Sequence, residues 1–391
     1  MKKLKTLLIL AALPLAQQAF SADYGAILTN DTRFNLNGSD NTKLLKQKDS
    51  ITAYATVPLA ADGSCYFSAE GLFQYSYTND FDIEFSSDEL IADVTLFKLS
   101  KSGKLGSSKY ILSAGRFFYS EFSNLVFSQT SDAVNFKIAN PSIEVSAFGA
   151  YTGLLNKKTV SMLDKNGMEF AKDSTKDFYE FASPQIFAGI SIGAPYLFCN
   201  QTLIAEGFAL LEAEGPGEKG DQGSRFYGTA GLTGPLSSTT FYNLSTTFGF
   251  NKDGDVSNLS KATVNFYTSF YSSVFTAGAV YASGESGGLK AFNAVTKNSA
   301  CFSLSEPAYS SLIKGSLSYS IKPSTTLLAA AGADVLFSSA DETKYRGTQG
   351  RLSVSYRPYS DVELSLGATS FFAEESSENR TCITFRAVLS L

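Results

Sequence analysis

Ten charged residues fall on the polar side of segments in which apolar and polar residues alternate. They are Asp31, Arg33, Glu70 and Asp93 early in the chain and Lys314, Asp334, Arg351, Arg357, Glu363 and Arg386 late in it. Side chains two apart on an extended chain share a face. Walls of charge on such a face steer ions and orient dipolar solutes. Arg33, Glu70, Asp93, Lys314, Arg351 and Arg386 are therefore the candidates for lining a pore. The absence of histidine from all 391 residues removes Ser-His and Cys-His catalysis and any zinc site built on imidazole, so no enzyme is expected. Asn251, Asp253 and Asp255 are oxygen ligands at spacing two, but Gly254 is misplaced for a calcium loop and no glutamate closes it. No cofactor and no resident metal are implied.

Composition narrows the partners. The chain carries 37 acidic and 32 basic residues, a net charge of -5, and nucleic-acid binding needs a basic surface; no nucleic acid is expected. Only 18% of residues are charged while 13% are aromatic, against about 25% charged in ordinary soluble domains. No uninterrupted apolar run of about 20 residues follows the first two dozen positions, which argues against helical membrane spans.

The first segment reads as an address. Met1 to Lys5 is basic, Thr6 to Ala16 is apolar, and Ala19-Phe20-Ser21 fits a small-x-small cleavage site. The apolar run is too short to cross a bilayer, so residues 1–21 read as a secretory signal peptide and 22–391 as one domain.

Beyond it a period of two dominates. Cys65, Phe67, Ala69, Gly71, Phe73, Tyr75 and Tyr77 share one face, and Tyr66, Ser68, Glu70, Leu72, Gln74, Ser76 and Thr78 the other, mostly polar, face. The pattern recurs around Ile51, Val134, Val145, Phe226, Val264, Leu317, Val354 and Leu366. Connections alternate between short turns (61–64, 101–104, 140–142, 234–237, 322–324, 357–360) and longer polar stretches (37–49, 78–89, 156–183, 213–224, 283–310, 338–349). Strands of about 10 residues joined this way predict an all-β fold, a transmembrane antiparallel up-and-down β-barrel with short periplasmic turns and long extracellular loops. About eight short turns with both termini on their side give about 18 strands, with 16 the main competitor. A soluble array of β-sandwiches also alternates, but its strands are shorter and no linker divides this chain. The apolar faces should meet lipid and the polar faces line the lumen.

The last segment alternates Ile383, Phe385, Ala387, Leu389 and Leu391 with Thr384, Arg386, Val388 and Ser390. It resembles the C-terminal strand of porin-like Gram-negative outer-membrane β-barrel proteins, which ends on an apolar, usually aromatic residue; here the end is Leu391. The resemblance implies the bacterial outer membrane, a lipid bilayer around the barrel and recognition of this strand by the outer-membrane assembly machinery.

Barrel topology orders the remaining features. Closure brings Arg386 beside Arg33, with Arg351 and Lys314 on the same wall and Glu70 and Asp93 further round. Residues 118–130 are unusually apolar for an outer loop; with Glu121, Phe122 and Leu125 as candidates, they either fold inward to constrict the pore, as the third outer loop does in general porins, or extend the flanking strands. Arg116 is left without an assigned face. Export permits disulfides, and Cys301 in a long loop can reach Cys382 at the outer end of the last strand, whereas Cys65 and Cys199 are separated by about six strands. The expected function is a channel for passive diffusion of small hydrophilic solutes or ions; the alternative is a surface adhesin whose long loops bind ligands. Without tryptophan, the interfacial aromatic belt falls to tyrosine and phenylalanine, with Tyr75, Tyr77, Phe226, Tyr356 and Phe385 as candidates.

Overall fold

The computed structural model describes residues 22–391 except 38–42, 83–84, 166, 168, 170–176, 218–222, 253, 298–308 and 341–342. Residues 1–21 lie outside it. In chain order the strands are β1 (Asp23–Asn37), β2 (Lys43–Pro58), β3 (Cys65–Asp80), β4 (Phe85–Leu105), β5 (Ser108–Ser120), β6 (Ser128–Ala139), β7 (Glu144–Tyr151), β8 (Gln185–Ala194) and β9 (Thr202–Glu212). The second half continues with β10 (Arg225–Pro235), β11 (Thr240–Asn251), β12 (Val256–Thr268), β13 (Ser273–Ala282), β14 (Leu312–Ile321), β15 (Leu327–Ser338), β16 (Tyr345–Tyr359), β17 (Val362–Ala373) and β18 (Arg380–Ser390).

Each strand pairs antiparallel with its neighbours, and β1 pairs with β18, so the 18-stranded sheet closes on itself. Leu391 and Ala26 exchange backbone hydrogen bonds at 2.8 and 3.1 Å, which seals the seam at the short-turn end. Closure leaves no edge to satisfy, the condition for strands in lipid. The competing count of 16 is excluded.

Side-chain alternation follows the predicted faces. Phe73, Leu317, Leu352, Leu366 and Phe385 are exposed on the outside, where lipid covers them. Outward rings form two levels: Tyr24, Phe67, Tyr242, Phe275 and Tyr356 lie toward the short turns, and Phe34, Phe118, Phe226, Phe250 and Phe372 toward the outer loops. These are the girdles expected of a transmembrane barrel.

Several boundaries differ from the sequence reading. The turn expected at 101–104 is strand, with Gly103 opposite Tyr110, and the chain reverses at 106–107. Much of 37–49 and 78–89, and residues 345–349, are strand, because β2, β3, β4 and β16 continue toward the outer loops with polar residues on both faces, where the alternation loses its contrast.

The inner face is not uniformly polar. Phe148, Phe187, Phe208 and Tyr227 point inward from β7 to β10 and are buried. Stacked rings link them, with centroids 4.1 Å apart for Phe127–Phe187 and 5.1 Å for Phe208–Tyr227. An apolar core inside the barrel must have something to pack against, and the outer loops supply it.

Candidate functional site

One stretch of the inner wall is cationic. The register from β16 to β2 places Arg351, Arg386, Arg33, Lys46 and Lys48 on the inward face. Arg33 Nε donates to Asp31 Oδ1 at 2.9 Å and remains 45% exposed. Arg386 and Lys46 are exposed, and neither has a salt-bridge partner among the described residues. Lys46 and Lys48 fell within an expected loop; counting back in twos from Ile51, the outward residue, would have found them.

Toward β14 the cations become structural. Asp334 is fully buried between Lys314 Nζ at 3.3 Å and Arg351 Nη2 at 2.8 Å, with Gln349 Nε2 donating at 3.1 Å. Arg351 is one-third exposed and still faces the lumen, whereas Lys314 is buried. Arg357 pairs with Glu363 near the short-turn end.

The acidic candidates lie elsewhere on the wall. Glu70 is inward and accepts from Thr95 Oγ1 at 2.6 Å. Asp93 is inward but occupied: Thr159 Oγ1 donates to it at 2.6 Å and Arg116 Nη1 lies at 3.3 Å. Arg116 stands where the ladder between β4 and β5 ends, at Phe97–Arg116. Its Nε and Nη2 both reach Asp132 at 2.9 Å, and Nη2 donates to Leu154 O at 2.8 Å. Above it the edge of β4 is met by the fourth outer loop (152–184), whose Phe178 O accepts from Ala92 N–H at 3.4 Å. Asp93 and Arg116 thus fasten a loop into the wall.

The third outer loop folds into the lumen. Phe118 to Ser120 and Ser128 to Thr130 extend β5 and β6, and 121–127 turn inward. Phe122 N–H donates to Glu206 Oε2 on β9 at 2.9 Å, and Lys261 Nζ on β12 donates to Ser123 O at 3.0 Å. The Phe122 ring lies against Gly231 of β10, where an added Cβ would come within 2.1 Å of it; only glycine admits that approach. Leu125, Val126 and Phe127 are buried in the lumenal core.

Glu121 shapes this loop from within. Its Oε1 accepts from Ser123 Oγ at 2.8 Å, Leu125 N–H at 2.8 Å and Val126 N–H at 2.9 Å, while Oε2 accepts from Ser123 N–H. Burial nevertheless pushes the carboxyl above its usual range, outweighing these donors.

The long loops extend the plug. Val126 O accepts from Val295 and Thr296 N–H at 2.8 and 3.0 Å, and Leu163 N–H donates to Val295 O at 2.9 Å. Arg225 of β10 anchors both loops, donating to Ala294 O at 2.9 Å and Leu163 O at 3.1 Å. The interior is therefore asymmetric: three loops pack on the β5–β13 side, and the cationic wall faces them.

Cys382 is buried with a free thiol, Cys65 and Cys199 are free, and Cys301 lies outside the described residues. Asp253 does too; Asn251 and Asp255 cap a tight turn through a 2.9 Å amide–carboxylate bond.

No family model and no curated protein matches this sequence. Solved structures match the fold along nearly its whole length. A BenF-like porin from Pseudomonas fluorescens Pf-5 superposes with a TM-score of 0.64 at 10% identity, covering 95% of this chain and 98% of the porin. Pseudomonas aeruginosa OccK5 (OpdH) gives 0.62 at 10% identity over 94% and 98%. Pseudomonas aeruginosa OccK2 (OpdF), solved in complex with glucuronate, gives 0.59 at 12% identity over 96% and 99%. The chain has the fold of the outer-membrane porins.

Proposed function

We propose that this chain is an outer-membrane channel, exported by its first 21 residues, through which small hydrophilic solutes or ions diffuse passively along the cationic wall. The observation that carries the reading is the division of the interior. Arg386 and Lys46 stand exposed and unpaired among the described residues on one side, while Leu125, Phe127 and Phe292 fill the other. A structural ion pair would consume both charges; a solute path leaves one sign free to attract. An 18-stranded barrel is wide enough to keep a path beside a folded-in loop. Arg33, Glu70, Arg351 and Arg386 line that path; Asp93 and Lys314 brace the wall; Glu121, Phe122 and Leu125 set its far side.

The alternative of a surface adhesin loses its main support in the same geometry. Met162, Leu163, Phe292 and Val295 of the long loops are buried inside the barrel, which leaves less of those loops to reach a partner.

Planar-bilayer recording of the purified protein is the test. Stepwise conductance with anion preference is expected. A correctly folded barrel that stays electrically silent across a range of voltages and salts overturns the reading.

A further inference from the structure

The outer wall of β1 and β2 carries a polar network where lipid should meet only apolar side chains. The register puts Leu28, Asn30, Thr32 and Phe34 of β1 on the same side as Leu389, Ala387, Phe385 and Ile383 of β18. It sets Ile51, Asp49, Gln47 and Leu45 of β2 beside them. Phe385 and Ile51 are exposed at 44% and 49%, so this is the outside of the barrel. On it Asn30 Nδ2 donates to Asp49 Oδ1 at 2.7 Å, Gln47 Nε2 donates to Asp49 Oδ2 at 2.9 Å, and Thr32 Oγ1 donates to Asn30 Oδ1 at 3.2 Å.

Depth makes this network anomalous. Tyr24 and Phe34 are the girdle residues of β1, and the chain between them, at about 3.3 Å per residue and a tilt of about 40°, spans roughly 25 Å, the height of the apolar band. Asn30 lies between them, nearer the upper girdle. The Asn30–Asp49 pair is therefore inside the band, not at its rim. A carboxylate facing lipid is costly, and a carboxylate accepts about four hydrogen bonds, of which Asp49 has two. No ion pair reaches it among the described residues. Asp132, the acid placed outward on β6, is held by both arms of Arg116; Asp49 has no such partner.

What the patch lacks is what a second copy of it offers. Each side-chain amide has two N–H donors, and Asn30 and Gln47 each use one on Asp49. The spare donors and the unfilled acceptors of Asp49 sit side by side, so the surface is complementary to itself. That is the requirement for an isologous contact about a two-fold axis. Asn30 and Asp49 lie at one side of a shallow depression of about 520 Å³ otherwise lined by Leu28, Ile51, Phe73, Tyr75, Leu364 and Leu389, an apolar seat for side chains of a facing copy.

We infer that two copies of this barrel pack side by side in the membrane through the Asn30–Asp49–Gln47 patch, the amides of each completing the carboxylate of the other. Polar side chains joining membrane segments are a known source of such association. The inference rests on the membrane-spanning reading but not on conduction, so a silent barrel would leave it standing.

The experiment uses the full chain reconstituted in lipid nanodiscs and liposomes, with mass measured by light scattering and pairing by energy transfer between labelled copies. The wild type is expected to carry two barrels per particle. Asn30→Leu with Asp49→Leu should weaken pairing at least tenfold and leave the conductance per barrel unchanged. Asp49→Asn, which keeps the shape of the site, should weaken it less. Retention of the compact, heat-modifiable band on gels checks that each variant folds. A wild type that stays single at every protein-to-lipid ratio overturns the inference. So does a Leu variant that still pairs, an assembly of three built on this face, or a single barrel holding lipopolysaccharide against it.

Discussion

The backbone N–H of Phe122 donates to Glu206 Oε2 at 2.9 Å, fixing the tip of the third outer loop to the barrel wall at β9. The loop leaves from β5 and Glu206 belongs to β9, so the bond ties the loop to a strand that is not its neighbour. A charged acceptor makes it one of the stronger ties of the loop. Removing it with Glu206→Ala should cost about 1.5–3 kcal/mol of local stability, raise open-channel noise and increase conductance as the loop swings from the path. Glu206→Gln keeps an acceptor and should retain most of the wild-type trace. Single-channel recording of the two variants checks this, and identical traces from Ala and wild type would refute it.

Arg386 and Lys46 should set the ion preference. They project into the lumen without salt-bridge partners among the described residues, whereas Arg33, Arg351 and Arg357 each answer to a carboxylate. A free charge about 8 Å from a passing ion is worth about 0.5 kcal/mol in water, roughly a factor of two in local concentration. Arg386→Ala and Lys46→Ala should each shift the permeability ratio toward cations by about that factor, with the two effects nearly additive. Reversal potentials across a salt gradient measure it. The shift should shrink as ionic strength rises, because screening shortens the reach of both charges.

The sequence made this wall only partly legible, for a physical reason. Alternation is sharp where one face meets lipid, so the inward direction of Arg33, Glu70, Asp93, Lys314, Arg351 and Arg386 could be read from Phe34, Ala69, Ile313, Leu352 and Phe385. It fades toward the outer end of β2, where Lys46 and Lys48 point inward and Gln47 and Asp49 outward, so that both faces are polar and the strand looked like a loop. An even strand number also followed from pattern, since both termini read as lying on the short-turn side, and pairing of the ends followed from the need to satisfy every backbone group in lipid. Pairings between loops and wall did not. Nothing local in sequence marks Arg116 as the clasp for Leu154, or Gly231 as the seat of Phe122, because each depends on chain distant by dozens of residues.

Asp334 is a structural acid, and its loss should be expensive. Its carboxylate is fully buried between Lys314 and Arg351. Asp334→Ala leaves the buried Lys314 ammonium without its counter-ion, a change that costs about 3–5 kcal/mol. The urea midpoint in detergent should fall accordingly. Replacing the buried pair together, Asp334→Leu with Lys314→Met, should recover much of the loss, since apolar groups of similar volume need no partner. If the single variant unfolds at the wild-type midpoint, the triad contributes nothing and Arg351 is free to act in the pore.

Glu121 gives the third loop a pH dependence of predictable sign. Burial raises its carboxyl above the ordinary value in the folded protein, so the folded state binds this proton more tightly than the unfolded chain does. Its contribution to stability is then greatest below the ordinary carboxylate range, near pH 4.3. It declines as pH climbs toward the raised folded value, and it is level above that. Glu121→Gln carries no titrating group; its amide still accepts from Leu125 and Val126 but opposes the Ser123 N–H, a cost that is constant with pH. The stability of wild type minus variant should therefore fall across the acid window and flatten beyond it. Urea titrations at a series of pH values in the same detergent measure the difference. A difference that rises with pH through that window would mean the four donors around Glu121 outweigh its burial, and the loop would be held by the carboxylate's charge.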